Sequence, residues 1–185
     1  MLEARIQQHF FDGADLLNQC AEPLARALTQ AVQAAVACLT AGNKVVACGP
    51  DGAAALASHL TSLFLAGFER ERPPLAAIAV ADQAGLTTVQ QIHALGHPGD
   101  LLICLALGGN ARATRTVIEA AQDKDMTVIA LTPLGDHSVI DLLRETDVLV
   151  ALPGERIGRL LELQLLAVHC LCDAIDTQLL GEHIP

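Results

Sequence analysis

Tryptophan and tyrosine are absent from this chain, and phenylalanine occurs only at Phe10, Phe11, Phe64 and Phe68, so the aromatic platforms on which bases and sugar rings stack are missing. Positive charge is scarce as well. The 11 Lys and Arg stand against 21 Asp and Glu, and the resulting net charge of −10 opposes the counterion release on which nucleic-acid affinity rests. Direct contact with nucleic acid is excluded on both grounds. No apolar stretch is long and uniform enough to span a bilayer, and no secretory leader is expected. The cysteines Cys20, Cys38, Cys48, Cys104, Cys170 and Cys172 sit in apolar runs without the spacing of a disulfide framework or zinc knuckle. They read as buried free thiols of a cytoplasmic protein.

What the chain has in excess is apolar surface: 52% of its residues are hydrophobic and 17% charged. That is more than one small domain needs to hide, and a homo-oligomer, dimer or tetramer, is the expected outlet. The length fits a single domain. Helical patterns run from Leu2 to about Asn18 and from Pro23 to Ala41, with Glu22-Pro23 suited to a helix start. Apolar strand-like runs then alternate with helices at Val45 to Cys48, Leu75 to Val80, Leu101 to Leu105, Thr127 to Leu131 and Val148 to Leu152. Near-continuous apolar strands are those of a parallel sheet covered on both faces. The fold class is therefore α/β: a three-layer sandwich with a five-stranded parallel sheet, preceded by N-terminal helices (residues 1–43, for oligomerisation) that form one unit with residues 44–185. A long last helix, about Glu155 to Leu180, is apolar around nearly its whole circumference and calls for partners on all sides.

Two strand-to-helix turns carry the chemical signal. Cys48-Gly49-Pro50-Asp51-Gly52 and Gly108-Gly109-Asn110 each follow a strand and open a helix, the geometry in which free backbone N–H groups and the helix dipole receive an anion. Neither turn carries a hydroxyl. Ala53 follows the first, Ala106, Leu107 and Ala111 flank the second, and the Asp51 carboxylate would cap or repel where a phosphate would sit. Arg112 and Arg115, near the second turn, are candidate substitute anion contacts.

Together with Phe68-Glu69-Arg70-Glu71-Arg72-Pro73, Ala94-Leu95-Gly96, Gly99-Asp100, Ala130-Leu131-Thr132, His169-Cys170-Leu171-Cys172-Asp173 and Ile175-Asp176, these turns give the chain a resemblance to the SIS (sugar isomerase) domain family. The resemblance covers essentially the full chain and is to the branch holding phosphoheptose isomerase and the DnaA initiator-associating protein DiaA. It implies a flavodoxin-like SIS fold, with degenerate phosphate loops at Gly49, Asp51, Gly52, Ala53, Gly108, Gly109, Asn110 and Ala111. By motif the family's two catalytic histidines fall on His59 and His169, while its glutamate falls on Leu63 and its glutamine on Leu161. With half of that constellation apolar, no catalytic residue and no cofactor is expected, and a zinc ion at His59 and His169 lacks its other ligands. The connection between Val80 and His93 is shorter than in the branch, which puts the shape of the ligand cleft in doubt.

These gaps favour a non-catalytic, DiaA-like scaffold: an oligomer that binds phosphosugar weakly or not at all and presents Leu179 and Leu180 to a protein partner such as the replication initiator DnaA. The alternatives are a phosphoheptose isomerase acting on sedoheptulose 7-phosphate and a phosphosugar sensor. Isomerisation through an enediol needs a placed base and an acid to polarise the carbonyl, and loss of function in His169→Ala would mark it.

Overall fold

The computed structural model describes residues 1–83 and 85–182, and of Asp51 the backbone only. Its five strands, β1 (Val45–Cys48), β2 (Ala77–Val80), β3 (Leu101–Leu105), β4 (Thr127–Pro133) and β5 (Val148–Leu152), form one parallel sheet in the order β2-β1-β3-β4-β5. Alternation along each strand divides the core. Val45, Ala47, Leu101, Ile103, Leu105, Ile129 and Leu131 face one layer of helices, and Val46, Cys48, Leu102, Cys104, Val128 and Ala130 face the other. Because both faces are covered, the strands need no polar side, and this is why they read as continuous apolar runs.

Helices α1 (Leu2–Thr40), α2 (Ala54–Ala66) and α6 (Ile157–Leu180) supply the first layer, and α3 (Thr88–Leu95) and α4 (Ala111–Gln122) the second, joined by the single turn α5 (His137–Ile140). The two helices expected before the first strand are one. Pro23 lies inside α1, where it cannot donate to the carbonyl four residues back. Cys20, Leu24, Leu28, Ala31, Val32, Ala35 and Cys38 nevertheless run unbroken down its buried face, so tertiary burial on both sides of the proline carries the helix through it. At 39 residues α1 is about 58 Å long, and its first turns project with Leu2, Ile6, Phe10 and Phe11 exposed.

The cysteines follow expectation except at one position. Cys20, Cys38, Cys48, Cys104 and Cys172 are buried free thiols, whereas Cys170 is exposed, because residues two apart on a helix face different ways. No helix among the described residues is long and apolar enough to cross a membrane.

Candidate functional site

In the sheet order, β1 is followed in sequence by β2 on one side, while β3 lies on its other side. The crevice beyond the carboxyl ends of β1 and β3 is therefore a topological switch point, the place where open parallel sheets receive ligands. Both glycine turns end there. They border a cleft of about 610 Å³ to which Gly49, Pro50 and Ala54 contribute from the first turn and Asn110, Arg112 and Ala113 from the second.

The first turn is held by a contact that only glycine permits: a Cβ on Gly49 would stand 2.2 Å from the backbone carbon of Ala53. Gly52 follows with a φ of +96°, in the region L side chains avoid. Helix α2 then begins at the N-cap Ala53, which supplies no side-chain cap. The carboxyl group of Asp51 lies outside the described residues. In the second turn Gly108 has a φ of +80° and packs beneath Pro133, while Ala106 and Leu107 are buried. Asn110 caps α4 by accepting from the Ala113 N–H at 3.1 Å. From below, Gln164 of α6 steadies this turn, its Nε2 donating to the Ala106 carbonyl at 2.8 Å.

The cleft has its third wall despite the short connection after β2. Ala81, Asp82, Thr87 and Thr88 line it, so the short connection still closes this side of the cleft. The sequence supplies the reason: Thr87 and Gln90 form a reciprocal capping box at the start of α3, and Asp82 accepts from both the backbone N–H and the hydroxyl of Thr88 at 2.6 and 2.8 Å. Those two bonds hold the Asp82 carboxyl below its ordinary range, against a smaller opposing effect of burial. An ionised Asp82 is an acceptor for sugar hydroxyls. Across from it the exposed Arg112 has no ion-pair partner within 4.0 Å among the described residues, whereas Arg115 faces Glu119. The turns lack hydroxyls, but Thr87, Thr88 and Thr116 reach the cleft from elsewhere. Sequence inspection missed them because none lies in a glycine turn.

His59 and His169 meet. Their Nε2 atoms are 3.1 Å apart although 110 positions separate them, the rings approach edge to face with centroids at 5.4 Å, and Phe68 stacks on His169 at 5.2 Å. His59 lies on α2 five residues beyond Ala54, about 7.5 Å along the helix from the cleft-lining residue. Both histidines are half-buried. Leu63 and Leu161, at the positions of the family's glutamate and glutamine, pack against the apolar core instead. No group of three or more His, Cys, Asp or Glu able to hold a metal ion exists among the described residues, and the leucines at 63 and 161 supply no ligand beside the two histidines.

The apolar pair at the end of α6 divides: Leu179 packs against the core, and Leu180 points outward at 45% exposure.

Residues 8–133 match the SIS domain family. Over 98% of this chain and 97% of the relative, the sequence is 49% identical to a phosphoheptose isomerase of Methylibium petroleiphilum. It is 39% identical to the phosphoheptose isomerase of an Azoarcus species across 96% of each. Among solved structures, a phosphoheptose isomerase from Francisella tularensis superposes with a TM-score of 0.85 at 31% identity, covering 96% of this chain and 99% of that one. The phosphoheptose isomerase GmhA from Neisseria gonorrhoeae does so with 0.84 at 28%, covering 96% and 100%. These full-length similarities overturn the expectation of a non-catalytic scaffold serving the initiator DnaA, because the proteins that share this sequence from end to end are isomerases. The expectation had weighed Leu63, Leu161 and the bare turns more heavily than the resemblance over the whole chain.

Proposed function

This chain belongs to the SIS domain family, and from that membership we propose that it is a phosphoheptose isomerase, interconverting the ketose and aldose forms of a seven-carbon sugar phosphate such as sedoheptulose 7-phosphate. The observation that carries the reading is the 3.1 Å contact between His59 and His169. Two imidazoles at that separation share one proton: a bare nitrogen accepts and its neighbour donates. Proton removal from the carbon beside the carbonyl and protonation of the carbonyl oxygen give an enediol; return of a proton to the former carbonyl carbon, with loss of the proton from the other enediol hydroxyl as its oxygen becomes the new carbonyl, completes the exchange with no net gain or loss. With leucine at position 63, the histidines are the groups available for this work.

The substrate's phosphate occupies the switch-point cleft, received by the start of α2, where the N-cap Ala53 has no side-chain acceptor to take up the N–H groups, and by Arg112. Asp82 accepts hydroxyls along the sugar chain. The extended substrate then reaches from the cleft along α2 toward His59. The groups that α3 and α4 add to the cleft offset the hydroxyls absent from the turns, and measured affinity for the sugar phosphate decides how far.

We further propose a homo-oligomer, with cytoplasmic residence suited to a sugar-phosphate substrate. The projecting start of α1 exposes Leu2, Ile6, Phe10 and Phe11, and an apolar groove of about 540 Å³ runs between α1 and α6, with Leu17, Leu24, Leu166 and Cys170 on its walls. A second copy would cover both, and light scattering reads the assembly directly.

Turnover of sedoheptulose 7-phosphate tests the central reading. Wild-type protein converts it, and His59→Ala and His169→Ala each lose about 100-fold or more of kcat, the range of a general acid–base contribution. Turnover that survives both substitutions, or none in the wild type, overturns it.

A further inference from the structure

Next to the histidine pair lies a buried ion pair to which the proposed chemistry gives no role. Arg72 Nε donates to Asp176 Oδ1 at 2.5 Å, and each side chain is only 2% exposed. The remainder of the guanidinium engages backbone: Nη1 donates to the Phe64 carbonyl at 2.7 Å and to that of Pro73 at 3.1 Å, and Nη2 donates to the Leu63 carbonyl at 3.0 Å. A planar fork of fixed donors is suited to joining several acceptors at one angle, which a lysine cannot do.

The location of those acceptors matters. Leu63 and Phe64 lie in the last turn of α2, and their carbonyls accept from the Gly67 and Leu75 N–H groups as well, each at 2.9 Å, so the guanidinium bonds are added to a helix end already closed by backbone; Leu63 is one turn beyond His59. Asp176 is on α6 seven residues after His169, two turns further on the same face. Between the two helices the chain turns back at Gly67, where a Cβ would meet the Arg70 carbonyl oxygen at 2.5 Å, and this return brings Phe68 onto the ring of His169. A single guanidinium therefore ties together α2, α6 and the segment carrying Phe68.

The pair is not arranged as an optimum of stability. Asp176 Oδ2 is buried with no hydrogen-bond partner among the described residues, and the adjoining Cys172 thiol, pushed up to about 12 by burial and then by Asp176, adds no charge of its own. Buried charges incompletely matched are often no better for stability than apolar residues of the same size. What they do supply is a fixed geometry.

We propose that the Arg72–Asp176 pair is a positioning element that sets the His59–His169 contact and, resting on the isomerase reading above, the transfer of the proton between them.

The test uses the full-length protein and two readouts. At pH 8 the imidazole ¹⁵N shifts, assigned with His59→Gln and His169→Gln, report whether one Nε2 carries the proton and the other accepts it; kcat and KM for sedoheptulose 7-phosphate report the chemistry. Arg72→Gln and Asp176→Asn break the pair singly. The double variant Arg72→Met with Asp176→Leu removes both charges and retains the fold where a single loss strands a buried ion. The expected result is loss of the paired ¹⁵N signature in the folded double variant, with kcat lowered about 100-fold, the scale of a 1 Å misplacement, and KM changed less than about twofold because the cleft residues are untouched. Arg72→Lys recovers only part of kcat. A folded double variant or Asp176→Asn protein that retains both the signature and wild-type kcat overturns the proposal. Absence of turnover in the wild type defeats the isomerase reading instead, and the ¹⁵N shifts then decide the positioning role alone.

Discussion

Gln164 donates from the middle of α6 to the carbonyl of Ala106 at 2.8 Å, linking the C-terminal helix to the turn that forms one side of the cleft. The second acceptor, Leu131, is at 3.4 Å, and Gln164 Oε1 is buried without a partner among the described residues. Replacing the amide by leucine removes the donor together with the unsatisfied oxygen, and the expected cost is about 1–2 kcal/mol. Gln164→Glu costs more, because it sets a buried carboxylate against a carbonyl oxygen. Urea unfolding of the two variants ranks them, and the reverse order would show that the amide does not hold this turn.

Arg112 predicts a change in affinity with no change in stability. It is exposed and lines the cleft, so Arg112→Gln leaves the melting temperature alone while weakening a sugar phosphate by roughly 10- to 150-fold, the equivalent of one charge-assisted hydrogen bond. Arg115→Gln, whose parent faces Glu119 at 3.5 Å, serves as the control and binds as wild type. Calorimetric titration with the sugar phosphate and with the free sugar separates a phosphate contact from a general loss.

Gly49→Ala is expected to damage the first turn. The added Cβ meets the backbone of Ala53 and the nitrogen of Ala54 at 2.5 Å or less, and backbone cannot step aside as a flexible side chain can. A stability loss of about 1–3 kcal/mol should come with weakened phosphate binding, since the same atoms begin α2. Unchanged thermal unfolding would mean that the turn relaxes freely.

Asp100 makes stability depend on pH at the opposite end of the sheet. Its side chain is 2% exposed and takes Lys44 Nζ at 2.5 Å, the Lys44 N–H at 3.0 Å and the His97 N–H at 2.8 Å. Burial by itself would raise its pKa, but these bonds together outweigh it and hold the carboxyl below its ordinary value. A lowered folded pKa stabilises the protein above the unfolded value near 4, and that contribution disappears as pH falls through the folded one. Denaturation midpoints measured downward from pH 5 should therefore fall more steeply in the wild type than in Asp100→Asn, which has no proton to take up. Parallel profiles would contradict the assignment.

Much of this molecule was legible because strands covered on two faces must be apolar throughout, and Val45 to Cys48 and Leu101 to Leu105 announce themselves in that way. The glycine turns were legible for a related reason: Gly49 and Gly108 occupy positions where a side chain collides or the backbone is left-handed. The single helix through Pro23 was not, since local propensity forbids what the buried stripe on either side of the proline enforces. Nor was the cleft's third wall, because Asp82, Thr87 and Thr88 act through a capping box and a hydrogen-bonded loop rather than through any motif a phosphate would demand.

The sequence by itself determined the parallel sheet, the two turns and the family, since each rests on residue types repeating at short range. Only the tertiary structure decided that His59 touches His169, that Arg72 reaches Asp176 and that Arg112 shares a cleft with Asp82. Those groups stand far apart along the chain, and their meeting depends on how α2, α4 and α6 pack on the sheet, which is set by the summed burial of many side chains and not by any one of the residues that use it.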